Sequence, residues 1–142
     1  MESIYSSLND DELKKEFETS KKIAVIGISS KKERASNEVA SFLQEEGYEI
    51  FPVNPTETEV LGKKSYSELS ELEEIPDIVD VFRKSEETMP ILDDVIKLGI
   101  KFLWLQEGII NEEVKTKALE HGIKFVMNGC IKKEYKRLFS LE

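Results

Sequence analysis

Residues 21–36 read KKIAVIGISSKKERAS, an apolar run that reaches a glycine and continues through a polar loop to Ser36. The apolar run, residues 23–28, is short, rich in β-branched side chains and free of polar alternation. Strands buried on both faces of a parallel sheet have this pattern. Ser36 is a residue type that caps helices, and apolar side chains recur after it at helical spacing until Gly47. The stretch therefore predicts a strand, a loop and a helix in succession.

Four more apolar runs follow, alternating with amphipathic segments. They lie at residues 49–53, 78–82, 101–105 and 124–127. This alternation predicts an α/β fold with a Rossmann-like, doubly wound, mostly parallel five-stranded sheet, helices on both faces and strand order 3-2-1-4-5. No linker or repeat interrupts the pattern, which predicts a single domain over residues 1–142.

Other segments lie outside this alternation. Residues 1–20 are interpreted as an N-terminal helical extension, with a helix at Asp10–Thr19 capped by Asn9. Between the second and third strands, residues 67–73 predict a short helix and residues 63–66 a brief extended piece. Residues 131–139 predict a closing helix.

The composition excludes several classes of protein. The chain has 142 residues, with 20 basic and 29 acidic side chains and a formal charge of −9. This balance disfavours nucleic acid and anionic membranes as partners, because both are polyanions that select basic surfaces. No apolar stretch approaches the roughly 20 residues of a membrane span, and the N-terminal residues lack the pattern of a secretory signal, so we expect a cytoplasmic protein. Cys130 is the only cysteine, which excludes an internal disulfide and a Cys-rich zinc site, and no metal site is predicted.

The charge is unevenly distributed along the chain. Residues 21–34 carry five bases against one acid, and residues 129–137 carry four bases against one acid. Residues 38–59 carry acids only. If the two basic segments meet in the fold, they could hold a small anion on an otherwise acidic protein.

A ligand of such a sheet lies beyond the carboxyl ends of the strands, so the residues after each strand form the candidate site. The first strand leads to Gly27 and a loop that carries Lys31, Lys32 and Arg34. Glycine lets the backbone approach a ligand closely, and the helix N-terminus that follows favours a phosphate. The second strand leads to Asn54, where a NAD site would have an acid to hold the ribose.

Polar groups also follow the remaining strands. Arg83 could reach a phosphate, and Phe82 before it could stack on a purine or pack in the core. After the fourth strand, Gln106 offers an amide and Gly108 a permissive backbone. The fifth strand leads to Cys130, which places the only thiol near the same edge. Together these residues favour a nucleotide-like ligand.

The ordered set of motifs resembles a known family. The motifs are IAVIGISSKKERASNEVASFLQEEGYEIFPVNP, VLGKKSYSELSEL, DIVDVFR, LWLQEGI and CIKKEY, and the resemblance covers about residues 14–138. It is to the small stand-alone CoA-binding proteins, which are similar to the N-terminal CoA-binding domain of the succinyl-CoA synthetase alpha subunit. The resemblance implies a Rossmann-like fold and the binding of coenzyme A without an assigned reaction.

Carried over by position, the resemblance implies a set of cofactor-binding residues. Phosphates would be held by the first loop and helix entrance, and the cleft would be completed by the other strand ends. The implied residues are Gly27, Ile28, Ser29, Ser30, Arg34, Ser36, Val53, Asn54, Pro55, Phe82, Arg83, Gln106 and Gly108.

Three hypotheses for the function follow. The first is a binding module for coenzyme A or an acyl-CoA, with no catalytic residues. The second is a CoA-linked redox or acyl-transfer enzyme component that uses Cys130. The third is a NAD-binding regulatory domain, and a homo-oligomer or an unidentified protein partner stays open for each.

Overall fold

The computed structural model describes residues 3–141. Its strands are β1 (Tyr5–Ser6), β2 (Lys22–Ile26), β3 (Glu49–Val53), β4 (Glu59–Val60), β5 (Lys63–Lys64), β6 (Ile78–Val81), β7 (Phe102–Leu105) and β8 (Lys124–Met127). Its α-helices are α1 (Asp10–Thr19), α2 (Ala35–Glu45), α3 (Thr88–Leu98), α4 (Glu112–Glu120) and α5 (Ile131–Leu138). Short 3-10 turns lie at Leu69–Glu71 and Ser85–Glu87.

The central sheet has the order β1-β8-β7-β6-β2-β3, and β4 pairs with β5 in a separate hairpin. Five strands are parallel, as the apolar runs predict, and β1 adds a sixth strand antiparallel to β8. Helices α1, α2 and α5 pack on one face of the sheet, and α3 and α4 pack on the other. The predicted Rossmann-like α/β class, with helices on both faces, is therefore confirmed.

The predicted strand order is wrong. The third parallel strand, β6, pairs with β2 rather than with β3, so the five parallel strands follow the order 2-1-3-4-5. The outer edge of β3 is instead contacted by Tyr66, whose amide donates to the carbonyl oxygen of Pro52 at 3.0 Å. Pro52 has no amide hydrogen, so β3 could not offer a complete ladder to another strand, and prolines in sheets are confined to edge strands or bulges.

Two local predictions also need correction. Ser36 does not cap α2, because the helix begins at Ala35 and its N-cap is Arg34. Residues 67–73 form only the single 3-10 turn at Leu69–Glu71. By contrast, Asn9 caps α1 as predicted, with its side chain accepting from the amide of Glu12 at 2.8 Å. Strand β1, which precedes that helix, was not predicted.

The helices are short and carry a charged outer face. Each of them buries one apolar stripe against the sheet, as Leu92 and Val95 do from α3. In residues 3–141, no helix combines the length and the apolar character that crossing a membrane would require.

Candidate functional site

The loop after β2 turns at Gly27, which lies between the ends of two neighbouring strands. Gly27 has a φ of +86°, and a Cβ atom placed on it would lie 2.5 Å from the carbonyl oxygen of Phe82. Its amide donates to the carbonyl oxygen of Val53 at 2.8 Å. Both the backbone conformation and the close approach require glycine. Gly27 therefore marks the point where β3, β2 and β6 meet, and ligands of doubly wound sheets bind where the strand order reverses.

Hydrogen bonds within the protein fix the first part of this loop. Ile28 is fully buried in the core beneath α2. The amide of Ser29 donates to Ser36 Oγ at 3.0 Å, and the carbonyl oxygen of Ser29 accepts from Asn37 Nδ2 at 2.8 Å. The hydroxyl oxygen of Ser29 accepts from the amide of Lys31 at 3.1 Å. Ser36 is therefore a buried residue that holds the loop, and hydrogen bonds within the protein define the loop's shape.

The second part of the loop is exposed and positively charged. Lys31, Lys32 and Arg34 are all exposed, and within residues 3–141 none of them forms an ion pair. No side chain of the described residues caps the start of α2. The loop thus brings three cations and uncapped helix amides to one end of the sheet, a combination that favours an anion.

Asn54 plays an internal role at the end of β3. It is 8% exposed, and its Nδ2 donates to the carbonyl oxygen of Ile28 at 2.8 Å. Its Oδ1 accepts from the amide of Thr56 at 3.0 Å and from the Thr56 hydroxyl at 2.8 Å. The side chain therefore ties the end of β3 to the first loop, and its polar atoms are used inside the protein.

Two clefts open at the carboxyl ends of the strands. The first, of about 580 Å³, lies between the start of α2, the ends of β6 and β7, and the start of α5. Of the predicted site residues, it is lined by Phe82, Arg83, Gln106 and Gly108, and Cys130 also lines it. The second, of about 320 Å³, lies towards β3, and of the predicted residues Val53, Pro55 and Arg83 line it. Three acids, Glu68, Glu87 and Asp94, line it as well. The other predicted residues, Gly27, Ile28, Ser29, Ser30, Arg34, Ser36 and Asn54, line neither cleft.

Arg83 is the residue that the two clefts share. It is half-buried two residues after the end of β6, and its side chain also contacts the position that a Cβ atom of Gly27 would occupy. A guanidinium group presents several donors in a fixed plane, which suits a phosphate or a carboxylate. Arg83 is therefore placed to contact a ligand that extends through both clefts.

The floor of the first cleft is formed by Phe82 and Gln106, which follow adjacent strands. Gln106 is 4% exposed, and its Oε1 accepts from the amide of Ile131 at 3.1 Å. One layer deeper, Asp80 and Trp104 are paired in register and are fully buried. Burial raises the pKa of Asp80 well above its ordinary value, so its carboxyl group favours the protonated form.

The corner before α5 is held by contacts to other strand ends. Trp104 Nε1 donates to the carbonyl oxygen of Gly129 at 2.8 Å, and Trp104 is fully buried. The amide of Gly108 donates to Asn128 Oδ1 at 2.8 Å. Cys130 is the half-buried N-cap residue of α5 and faces the first cleft. The only thiol thus lies at the same edge as the other strand ends, as the position of the fifth strand predicts.

The second basic segment is largely neutralised. Lys132 pairs with Glu38 at 3.3 Å, and Lys133 pairs with Glu107 at 3.2 Å. The two basic segments meet in a third cleft of about 400 Å³, lined by Lys32 and Lys132 together with Glu38 and Glu45. The acids balance the lysines in this third cleft, so among the described residues unpaired positive charge at the carboxyl edge comes from the first loop and from Arg83 and Lys84 beside the first cleft.

Some residues at this edge are missing from the sequence prediction. Ser85, Glu86 and Glu107 line the first cleft. They follow the strands closely enough that a search of the residues after each strand end could have included them. Glu57 contacts the first loop, since its Oε2 accepts from the amide of Ser30 at 2.8 Å. An acid is therefore present after β3, three residues beyond Asn54, the position where the NAD pattern places one.

The sequence also matches a known family over most of its length. Residues 21–136 match the CoA-binding domain family. The chain belongs to this family.

Relatives of this CoA-binding domain include small proteins and part of a larger enzyme. The uncharacterized protein YneT of Bacillus subtilis (strain 168) is 40% identical over 121 residues, which are 85% of this chain and 90% of that protein. A hypothetical protein from Pyrococcus horikoshii OT3 is 38% identical, with a TM-score of 0.90 over 98% of this chain and 99% of that one. The dinucleotide-forming acetyl-coenzyme A synthetase 1 of Ca. Korarchaeum cryptofilum, in complex with phosphate and ADP, is 26% identical. Its TM-score is 0.68, and the match covers 81% of this chain and 27% of that one.

Proposed function

We propose that the chain binds coenzyme A or an acyl-CoA at the carboxyl edge of its sheet, as a binding module without covalent chemistry of its own. The observation that carries the proposal is the position of Arg83 between two clefts, beside the glycine turn of the first loop. Membership of the CoA-binding domain family supports the ligand class.

The residues at this edge fit an elongated, phosphorylated ligand. Coenzyme A has a nucleotide arm and a thiol arm joined through a pyrophosphate. The close approach at Gly27 leaves no room for a side chain, and the exposed Lys31, Lys32 and Arg34 supply positive charge beside it. The loop and Arg83 would hold the phosphates, and the two clefts would take the two arms.

The absence of a recognisable catalytic set at this edge supports a binding role. The only histidine, His121, is the C-cap residue of α4, and its ring Nδ1 lies 2.9 Å from the carbonyl oxygen of Lys117. It lines neither carboxyl-edge cleft. The position of His121 therefore favours a role in capping the C-terminus of α4.

Calorimetric titration with coenzyme A, dephospho-CoA and NAD tests the proposal. We expect coenzyme A to bind more tightly than NAD. Tighter binding of NAD would contradict the CoA assignment and favour a NAD-binding regulatory domain. Mass spectrometry of ligand released from freshly purified protein provides a second, independent test.

A second function is favoured by the position of Cys130 in the first cleft. Its thiolate could attack a CoA disulfide, forming a mixed disulfide with the CoA moiety and releasing the other half as a thiolate, so that no further oxidant is needed. Intact mass after incubation with CoA disulfide tests this function. A reductant-sensitive adduct of one CoA supports it, and an unmodified Cys130 at full CoA occupancy contradicts it.

A further inference from the structure

An acidic side chain reaches the phosphate-binding part of the first loop from a different strand end. Oε2 of Glu57 accepts from the amide of Ser30 at 2.8 Å, although 27 residues separate them. Glu57 is half-buried in the turn after β3. Its own amide donates to the carbonyl oxygen of Asn54 at 3.2 Å, and Asn54 is in turn tied to Ile28. The carboxylate is therefore held at the loop by the fold of both strand ends.

The amide of Ser30 has a different kind of hydrogen-bond partner from the neighbouring amides of the loop. The amide of Gly27 donates to a backbone carbonyl oxygen, and the amides of Ser29 and Lys31 donate to serine hydroxyls. These partners are part of the folded loop. The partner of Ser30 is the end of a long side chain, which can leave by rotating about its own bonds without unfolding the loop.

A carboxylate oxygen and a phosphate oxygen are acceptors of the same kind for a backbone amide. An anion that binds Ser30 must therefore displace Glu57, and a carboxylate that stays nearby repels the anion. No ion pair with a lysine or arginine of residues 3–141 neutralises Glu57.

We infer that Glu57 lowers the affinity of this site for phosphorylated ligands, as an internal carboxylate that competes with the ligand's phosphate for the amide of Ser30. This inference rests on the proposed function. It makes affinity depend on how much negative charge the ligand brings to this part of the loop. Ligands with additional phosphate charge near Glu57 are then bound less tightly than the cations of the loop alone would allow.

The variant Glu57→Gln tests the inference, and Glu59→Gln is the matched control. Glutamine removes the charge and leaves a neutral carbonyl oxygen, which can still accept from Ser30 but is a weaker acceptor than a carboxylate. The loop therefore keeps its shape, and an anion displaces the side chain more easily. Glu59 is exposed in β4, two residues away, and its substitution makes the same change in net charge. Affinities for coenzyme A and for inorganic pyrophosphate are measured by calorimetry for the wild-type protein and both variants.

We expect Glu57→Gln to bind both probes about fivefold or more tightly than the wild-type protein, since one like charge is removed at close range. Glu59→Gln should stay within about twofold, because an exposed charge farther away is screened by solvent. Equal effects of the two substitutions would overturn the inference, because a general charge effect would explain them. Weaker binding by Glu57→Gln would also overturn it, because Glu57 would then contact the ligand favourably.

The two probes separate this inference from the proposed function. If the wild-type protein binds pyrophosphate but not coenzyme A, the proposed function fails, and the pyrophosphate affinities of the variants still decide the role of Glu57. If coenzyme A binds equally to the wild-type protein and to Glu57→Gln, only the inference fails. If no protein binds either probe, both fail.

Discussion

Asp80 and Trp104 lie side by side on adjacent strands beneath the first cleft, but only Trp104 has a hydrogen-bond partner. The indole nitrogen of Trp104 donates to the carbonyl oxygen of Gly129, whereas neither carboxyl oxygen of Asp80 is hydrogen-bonded within the described part of the chain. A buried polar group without a partner costs free energy, and an ionised one costs more. Asp80 is therefore a source of instability at the centre of the sheet.

The first prediction is that Asp80 makes the protein less stable as the pH rises. Its pKa is raised in the folded state, so the folded protein keeps a proton that the unfolded chain releases above a pH of about 4. Above that pH the free energy of unfolding should thus fall by up to about 1.4 kcal/mol per pH unit, until the carboxyl group of Asp80 titrates in the folded protein as well. Urea unfolding between pH 5 and 8 measures this slope. Asp80→Asn should flatten this slope, whereas Asp93→Asn, the control at an exposed residue, should leave it unchanged. Equal slopes for Asp80→Asn and the wild-type protein would contradict the prediction.

The second prediction concerns the glycine turn. Gly27→Ala places a Cβ atom 2.5 Å from the carbonyl oxygen of Phe82 and forces alanine to a φ of +86°. Gly62→Ala is the control, since Gly62 has a φ of +74° and nothing within 4 Å of the added atom. Both variants should lose about 1–2 kcal/mol of stability from the strained φ, and Gly27→Ala should lose more. Only Gly27→Ala should also weaken the binding of coenzyme A. Equal losses of stability in urea unfolding and of affinity in titration for the two variants would refute the role of the close approach at Gly27.

The third prediction is that Arg83 contributes more than its charge to binding. Arg83→Lys keeps a cation between the two clefts but loses the planar set of donors. We expect affinity for coenzyme A to fall about tenfold, which corresponds to about 1.4 kcal/mol. The control is Lys101→Met, which removes a positive charge from an exposed residue at the opposite, amino end of the sheet. Titrations at one ionic strength should show the wild-type affinity for this control. An unchanged affinity of Arg83→Lys would exclude a planar contact between Arg83 and the ligand.

The fourth prediction is that Gln106 holds the start of α5. Gln106→Leu removes the acceptor of the Ile131 amide, and both residues are buried. Leaving a buried amide without a partner should cost about 1–3 kcal/mol in urea unfolding. Gln44→Leu is the control. The side-chain amide of half-buried Gln44 donates to the carbonyl oxygen of Leu61 at 3.2 Å near solvent, so the loss of this hydrogen bond should cost less stability. Hydrogen exchange of the Ile131 amide should accelerate in Gln106→Leu, and an unchanged rate would contradict this role.

Much of the fold could be predicted because buried parallel strands have a plain sequence signature. The five apolar runs correspond to β2, β3, β6, β7 and β8 within one or two residues at their ends. Strand β1 has only two residues and no apolar run, so its pairing with β8 depends on a tertiary contact. The strand order was missed although Pro52 lies within β3 and already indicates an edge strand.

The candidate site was predictable where it depends on strand ends and not where it depends on long-range contacts. Arg83 and Gln106 follow their strands directly, and both line the first cleft. The internal roles of Asn54 and Ser36 are set by partners in the first loop, which no local pattern shows. Glu57 was missed for the same reason, because its contact with Ser30 joins two loops that are distant in sequence.

The first and last described elements of the chain are built against each other. Tyr5 pairs with Met127 across the edge of the sheet, and Asp10 forms an ion pair with Arg137 at 2.9 Å. During synthesis on the ribosome, β1 and α1 must therefore wait for the C-terminal segment before they gain these partners, and contacts so far apart in sequence slow folding. The same closure packs Ile4 against Gly129, next to the cysteine of the first cleft. This corner of the carboxyl edge is thus among the last parts of the protein to be assembled.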